Sequence, residues 1–303
     1  MISVIVCSIS PENLDRTKSN IDATIGVEHE LIAYDNAVSK WPIAKVYNYC
    51  ADKAKYDFLL FVHEDVIFHT QDWGKIISAK LAEPDCGVIG FAGARIKTKA
   101  YSGWNPTTGD FEISNYGYVD PRSRAQRFCR RGQFMEDGYG QVITVDGLAM
   151  FVRKSVWEKY PFDERMLTGF HCYDVDFSLE LARHYRNYVC GVIRLVHLSN
   201  GNFGREWLQS TVYMHDNKWN SFLPMSIVDM SEQEMHNVER RALYGFMKTA
   251  CMGHVDYGIK DIMSWDISFK DKLYVMIKYL NFVRLYRRRM RRKSVMKGRI
   301  MGI

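Results

Sequence analysis

Short apolar runs and longer amphipathic stretches alternate along the first third of the chain. Residues 2–9 and His29-Glu30-Leu31-Ile32-Ala33-Tyr34 read as strands. Between residues 43 and 54, Ile43, Val46, Tyr47, Cys50 and Ala54 recur at helical spacing. Phe58-Leu59-Leu60-Phe61-Val62 is an unbroken apolar run, long enough for a strand buried on both faces. Residues 72–83 predict a helix with Asp72 as its N-cap, and Cys86 to Phe91 another buried strand. Strand, helix, strand, helix, strand is the pattern of a mostly parallel sheet with helices on both faces, an α/β fold.

From about residue 94 to 140 the periodicity fades. Gly, Asn, Asp, Arg and aromatic residues mix without a clear rhythm, as in a long functional lid or binding loop. Strands resume around Gly147, over 141–146 and 148–152, followed by a turn at Pro161-Phe162-Asp163-Glu164. A helix is expected from near Asp174. A strand is expected from Tyr188 to Val196, ending at His197, with a glycine-containing loop over 199–204. Beyond about 225 the pattern turns helical. Ser231 and Glu234 have capping-box spacing. Leu273, Met276, Ile277, Leu280 and Val283 form one helical stripe. The expected organisation is a domain over 1–225 and a helical extension over 226–303.

The 303 residues are 47% hydrophobic and 25% charged, the balance of an ordinary globular protein. No apolar run has the length of a membrane span, and the N-terminus reads as a first strand without a targeting segment. The expected location is cytoplasmic. The seven cysteines are scattered and contain no Cys-x-x-Cys pair, which argues against a disulfide framework or a structural zinc site. The formal charge of +6 is concentrated in the tail. Nine Lys or Arg residues lie between Arg284 and Arg299 with no acid among them, and without those nine the +6 becomes about −3. Nucleic acid is therefore not the expected partner of the main domain.

The candidate chemistry sits where strands end. Asp35-Asn36, His63-Glu64-Asp65, Asp146 and His197 each follow a strand-like run, the place where open α/β sheets bind ligands. Oxygen and imidazole ligands there suit a divalent metal that holds phosphate. The bland alternative is a set of polar loops leaving the core. Asp174 and Asp176 open a helix, and each has a plain reading as a cap. In the irregular stretch, Trp104, Tyr101 and Tyr116 either stack on a ligand ring or fill the core.

In order and context, these residues resemble the inverting family 2 type of GT-A glycosyltransferases, over about residues 1–205. The most specific part runs from Val145-Asp146-Gly147 through Phe162-Asp163-Glu164 and Tyr173-Asp174-Val175-Asp176 to Val196-His197. The resemblance implies a GT-A-like, mostly parallel sheet and transfer of a sugar from a nucleotide-sugar donor, UDP-linked by expectation, with inversion. It implies donor contacts at Ser8, Asp35, Asn36, Asn48, Glu64 and Asp65. It places the general base at Asp174; the acceptor contacts are expected at Trp104, Asp146 and Asp176. It implies a divalent metal, Mn²⁺ or Mg²⁺, on Asp65 and His197 with His63. The chain departs from the family at two points: His63 stands for the first aspartate of the Asp-x-Asp motif, and Tyr173 for a glutamate before Asp174.

The chemistry suits these residue types. A departing diphosphate gains negative charge that a divalent ion offsets. The attacking hydroxyl must lose a proton, and a single carboxylate on the acceptor side can take it. The expected acceptor is a saccharide or a lipid-linked glycan. A non-catalytic nucleotide- or glycan-binding domain of the same fold stays open as the alternative. The Arg-rich tail reads as a solvated helix end, an anionic membrane contact at the inner face of the plasma membrane, or a nucleic-acid contact.

Overall fold

The computed structural model describes residues 1–300 other than 108, 200, 202, 254–256 and 266, with side chains described as far as Arg291. Its centre is a seven-stranded sheet. The spatial order is Tyr139–Val142, Arg186–Cys190, Cys86–Gly90, Ala149–Arg153, Phe58–His63, Ile2–Ser8 and His29–Asp35. Five strands run one way; Ala149–Arg153 and Tyr139–Val142 run against them. The sheet is thus mostly parallel, as the alternation predicts, with one reversed strand near its middle.

That reversed strand positions the site. An antiparallel strand begins where its parallel neighbours end. Ala149 pairs with Val62, and His63 N donates to Leu148 O at 3.1 Å. The Asp146-Gly147 turn therefore arrives beside His63-Glu64-Asp65. In the neighbouring strands, Cys7 lies opposite His63 and Ser8 opposite Asp35, so Asp35 ends at the same sheet edge.

The apolar run at Phe58 is buried on both faces because each face carries its own core. Leu59 and Phe61 join Val46, Tyr47, Phe162 and Phe177 on one side. Leu60 and Val62 join Ile21, Trp73, Ile77 and Phe151 on the other. Alternate strand side chains point to opposite faces, so a strand sandwiched by helices must be apolar throughout. Full burial of one such side chain contributes about 1.5–3 kcal/mol, which makes this strand a rigid base for the polar residues at its end.

Elsewhere the structure departs from the sequence reading. The stretch from 94 to 140 holds a hairpin, Glu112–Val119 with Gln126–Arg131, paired antiparallel from Ser114/Arg131 to Val119/Gln126. Its outer strand is almost wholly exposed and carries Arg127, Arg130 and Arg131. Charges on an edge strand hide the alternation by which strands are recognised. The strand expected over 188–196 divides at Gly191. Arg186–Cys190 stays in the central sheet, and Leu195–His197 crosses to a second sheet, between Val66–Phe68 and Gly117-Tyr118. Asp72 precedes its helix with a left-handed φ of 55° and makes no cap bond; its carboxylate pairs with Lys75 at 2.8 Å instead.

After the domain core, the helix Glu232–Met252 starts with both bonds of the Ser231–Glu234 capping box formed. It packs with the long helix Phe269–Ile300 around Leu243, Phe246, Met247 and Val275. The stripe read from the sequence splits here. Met276 and Val283 face this cluster, whereas Leu273, Ile277 and Leu280 are exposed. Among the described residues, no helix is long and apolar enough to cross a membrane.

Candidate functional site

His63, Asp65 and His197 come together although far apart in sequence. Their ligand atoms all lie within 4.8 Å of one another. His63 Nδ1 is 3.3 Å from His197 Nε2, and His197 Nε2 is 3.2 Å from Asp65 Oδ1. The crossing of Leu195–His197 into the second sheet brings this about, because His197 pairs with Val66, the residue after Asp65.

A hydrogen-bond chain fixes the imidazole. The Tyr173 hydroxyl lies 3.1 Å from Gly147 O and 2.7 Å from His63 Nε2; when it donates to the carbonyl it accepts the Nε2 proton. His63 Nδ1 is then bare and faces the cluster. Burial, and then His197 alongside, push the His63 pKa down to about 4, so the ring is neutral, as a ligand must be. Burial opposes ionisation of Asp65, but the hydrogen bond and charge of His197, then a side-chain hydrogen bond from Ser199, outweigh it and hold the carboxyl well below its ordinary range; the Ser199 N–H also donates to it at 3.1 Å. For His197 too, burial is outweighed: Asp65 and then Asp146 raise its pKa.

These donors fit a divalent cation. With metal–ligand bonds of about 2.1 Å, adjacent ligands sit about 3.0–3.4 Å apart, and the two spacings here are 3.3 and 3.2 Å. One carboxylate and two imidazoles form a borderline donor set, suited to Mn²⁺ or Zn²⁺ rather than to Ca²⁺.

Asp174 lies at the start of the helix Tyr173–Ala182, launched by a left-handed Cys172 (φ 69°). Its Oδ2 accepts from Gly147 N at 3.0 Å. Gly147 thus holds Asp174 by its N–H and Tyr173 by its carbonyl. No larger residue fits there, because a Cβ on Gly147 would stand 2.2 Å from Tyr173 Oη. Burial, and then the charge of Asp146, raise the Asp174 pKa to about 7. Burial also raises the pKa of Asp146, against the opposing pull of His197, the Leu148 N–H and the Trp104 side chain. Two neighbouring carboxylates in a partly dry site resist joint ionisation, which poises one of them as a proton acceptor near neutral pH.

The remaining residues divide by position. Trp104 reaches Asp146, and its carbonyl accepts from Thr144 Oγ1 at 2.6 Å. Tyr116 lies close enough to Asp146 for its phenol to feel that charge. Asp35 caps the short helix Asn36–Ser39 through Ala37 N and is exposed at the sheet edge. The Glu64 carboxylate accepts from Ser8 Oγ, from Ile9 N at 3.1 Å and from Ser10 N at 3.0 Å, tying the first strand's end to the motif.

Three candidates are committed elsewhere. The Asn36 amide shapes the turn to Trp41 through Trp41 N and O. Asn48 brackets the Phe162-Asp163-Glu164 turn, giving to Phe162 O and taking from Phe162 N and Trp157 Nε1. It lines an open groove of about 440 Å³ with Trp41 and Glu164, which His63, Asp65 and His197 do not reach. Asp176, expected on the acceptor side, turns the other way. It accepts from Lys218 Nζ at 2.9 Å and Trp219 Nε1 at 2.8 Å, both presented by a π-helical turn over His215–Trp219. Two residues on from Asp174, it lies on another helical face.

Sequence reading noted Tyr173 only as a departure and missed Ser199, Phe170 and Lys97. The Phe170 ring, 53% exposed, tilts over His63 at 6.0 Å. Lys97 is fully buried and donates to Ser102 O, Ser102 Oγ and Gly103 O, just before Trp104. Its burial brings its pKa down to about 7. No local pattern distinguishes such a lysine from a surface one.

The fold and the sequence pattern together define a glycosyltransferase-like domain. The chain belongs to the glycosyltransferase-like family whose sequence pattern matches residues 3–218. No curated protein matches it in sequence. Its fold is similar to that of GalNAc-T7, solved with UDP, GalNAc and Mn²⁺, at 11% identity and a TM-score of 0.48, over 82% of this chain and 56% of that one. It is similar to S. aureus TarS 1–349 in complex with UDP-GlcNAc (13%, TM-score 0.44, 93% of this chain and 72% of that one). It is also similar to the mannosyltransferase PcManGT from Pyrobaculum calidifontis in complex with GDP-Man and Mn²⁺ (11%, TM-score 0.46, 94% and 86%). The chain thus spans little more than half the length of GalNAc-T7, and likeness at this level assigns no role to any residue.

Proposed function

We propose that this chain transfers a hexosyl group from a nucleotide-sugar donor to an acceptor hydroxyl by direct displacement with inversion. The observation that carries the reading is the meeting of the His63, Asp65 and His197 ligand atoms, linked through Tyr173 and Gly147 to Asp174. Asp65, His197 and His63 would hold a divalent cation, which when bound neutralises charge on the departing diphosphate. Asp35, at the same sheet edge, would contact the nucleoside.

Asp174 acts as the base. The acceptor hydroxyl oxygen forms a bond to the anomeric carbon as the bond to the phosphate oxygen breaks. The hydroxyl proton passes to Asp174, and the nucleoside diphosphate leaves with the bonding pair. The Gly147 N–H holds one oxygen of the carboxylate in place. Trp104 and Asp146 would orient the acceptor sugar by stacking and hydrogen bonding. The domain boundary near residue 225 and a cytoplasmic location belong to the same proposal.

The test is consumption of a panel of UDP- and GDP-linked sugars with Mn²⁺ and simple saccharide acceptors, UDP-linked hexoses first, followed by NMR of the product's anomeric proton. The reading expects Mn²⁺-dependent turnover and an inverted linkage. Nucleotide binding without turnover under every condition, or retained configuration, contradicts it.

A further inference from the structure

The long helix Phe269–Ile300 packs along one side only. Val275, Met276, Tyr279 and Val283 face the helix Glu232–Met252. The adjoining side carries Phe269, Leu273, Ile277 and Leu280, which are 71, 41, 51 and 47% exposed. At 3.6 residues per turn these four fall within an arc of about 80°. Arg284, Arg287 and Arg291, all exposed, continue that same arc toward the C-terminus. This arc is therefore apolar in its first half and cationic in its second, with the exposed Lys270 and Lys278 flanking the apolar part.

The only acid of this helix is Asp271. It is turned to the inner side, nearly buried, and bound by Arg240 Nη1 at 3.1 Å. Among the described residues, no ion pair engages Arg284, Arg287 or Arg291. The further basic residues Arg292, Lys293, Lys297 and Arg299 lie outside the described side chains.

We infer that this face rests in the interface of an anionic lipid bilayer, with the Phe269–Leu280 half sunk at the acyl boundary and Arg284, Arg287 and Arg291 on lipid phosphates. An amphipathic helix with an apolar stripe and a cationic face is the pattern that lies in a membrane plane. Charge chooses this occupant over others. A second copy laid parallel on this face sets arginines against arginines, and laid antiparallel it sets them against the apolar half. A nucleic acid satisfies the arginines and leaves the four apolar side chains in water. An anionic surface satisfies both halves at once.

The test is co-sedimentation of the full chain with vesicles of phosphatidylcholine alone or with about one third phosphatidylglycerol. The wild type should bind the anionic vesicles and scarcely the neutral ones. Each engaged arginine multiplies partitioning about fivefold, so R284Q/R287Q/R291Q should weaken anionic binding by about 10²-fold. Leu273→Ser with Ile277→Ser should weaken it as well; both positions are exposed, and an unchanged melting temperature confirms the fold. Equal binding to both vesicle types, or full binding by the triple variant, overturns the inference. So does a stripe-dependent dimer in sedimentation velocity, or RNA binding that needs the arginines but not Leu273 and Ile277.

Discussion

His63 Nε2 stands 2.7 Å from the Tyr173 hydroxyl, which is itself spent on Gly147 O at 3.1 Å. This contact offers an acceptor for the Nε2 proton, which leaves Nδ1 to face Asp65 and His197 as a bare nitrogen. The two departures from the family pattern, a histidine for an aspartate and a tyrosine for a glutamate, are thus in contact with each other. Tyr173→Phe should remove the acceptor for the Nε2 proton and free the tautomer. Mn²⁺ affinity should fall about 10- to 100-fold by calorimetry with little change in the circular dichroism spectrum. Unchanged affinity would show that the hydroxyl does not orient His63.

Asp174 should set both a pH profile and a stability cost. Its pKa is raised to about 7 in the folded protein, above its ordinary carboxylate value. The folded state therefore holds a proton that the unfolded chain has lost, and stability falls as pH rises from about 4 through 7. Activity moves the other way, because the base works only when ionised, so kcat/KM should rise through about pH 7. Asp174→Asn should lower turnover at least about 10²-fold. It should also stabilise the protein at pH 8 by at least about 1 kcal/mol, seen as a higher Tm. A lower Tm at pH 8 would mean that the carboxylate is held for structure.

Gly147→Ala inserts a methyl group 2.2 Å from Tyr173 Oη. Either the phenol leaves His63 or the Asp146–Leu148 turn shifts, so overpacking should cost about 1–3 kcal/mol in urea denaturation. Turnover should drop along with stability, since both Asp174 and Tyr173 hang on this residue. A variant of normal stability and activity would show that the turn has room to spare.

Asp176 should behave as a buried ionic anchor. Asp176→Ala leaves the Trp219 N–H without its acceptor and Lys218 with only the more distant Asp163 and Glu180, at 3.5 and 3.8 Å. An unsatisfied buried donor costs about 1–3 kcal/mol. The effect should appear in denaturation, with acceptor KM unchanged in the surviving folded enzyme. A raised KM at wild-type stability would return Asp176 to the acceptor side.

The strand ends were the legible part of the site. Asp35, His63, Asp65, Asp146 and His197 can be placed on one edge because apolar runs announce their strands. Their convergence rests on features with no local signal. The reversal of Ala149–Arg153 and the crossing of Leu195–His197 between sheets are tertiary choices. The Glu112–Arg131 hairpin was masked by its arginines. Asn36, Asn48 and Asp176 show the converse: a polar residue near a site in sequence can be tied by hydrogen bonds to a turn or a neighbouring helix. In the last helix, periodicity found the apolar residues but could not tell the packed face from the outer one.

The central claim is that His63, Asp65 and His197 hold a cation for a nucleotide diphosphate. Calorimetric titration of UDP and GDP, with and without Mn²⁺, into the wild type and Asp65→Ala tests it most directly. Binding of at least one nucleotide should be strengthened by Mn²⁺ in the wild type, and that gain should vanish in Asp65→Ala while its melting temperature stays within a few degrees. Nucleotide binding indifferent to Mn²⁺, or a Mn²⁺ effect that survives loss of the carboxylate, would contradict the account.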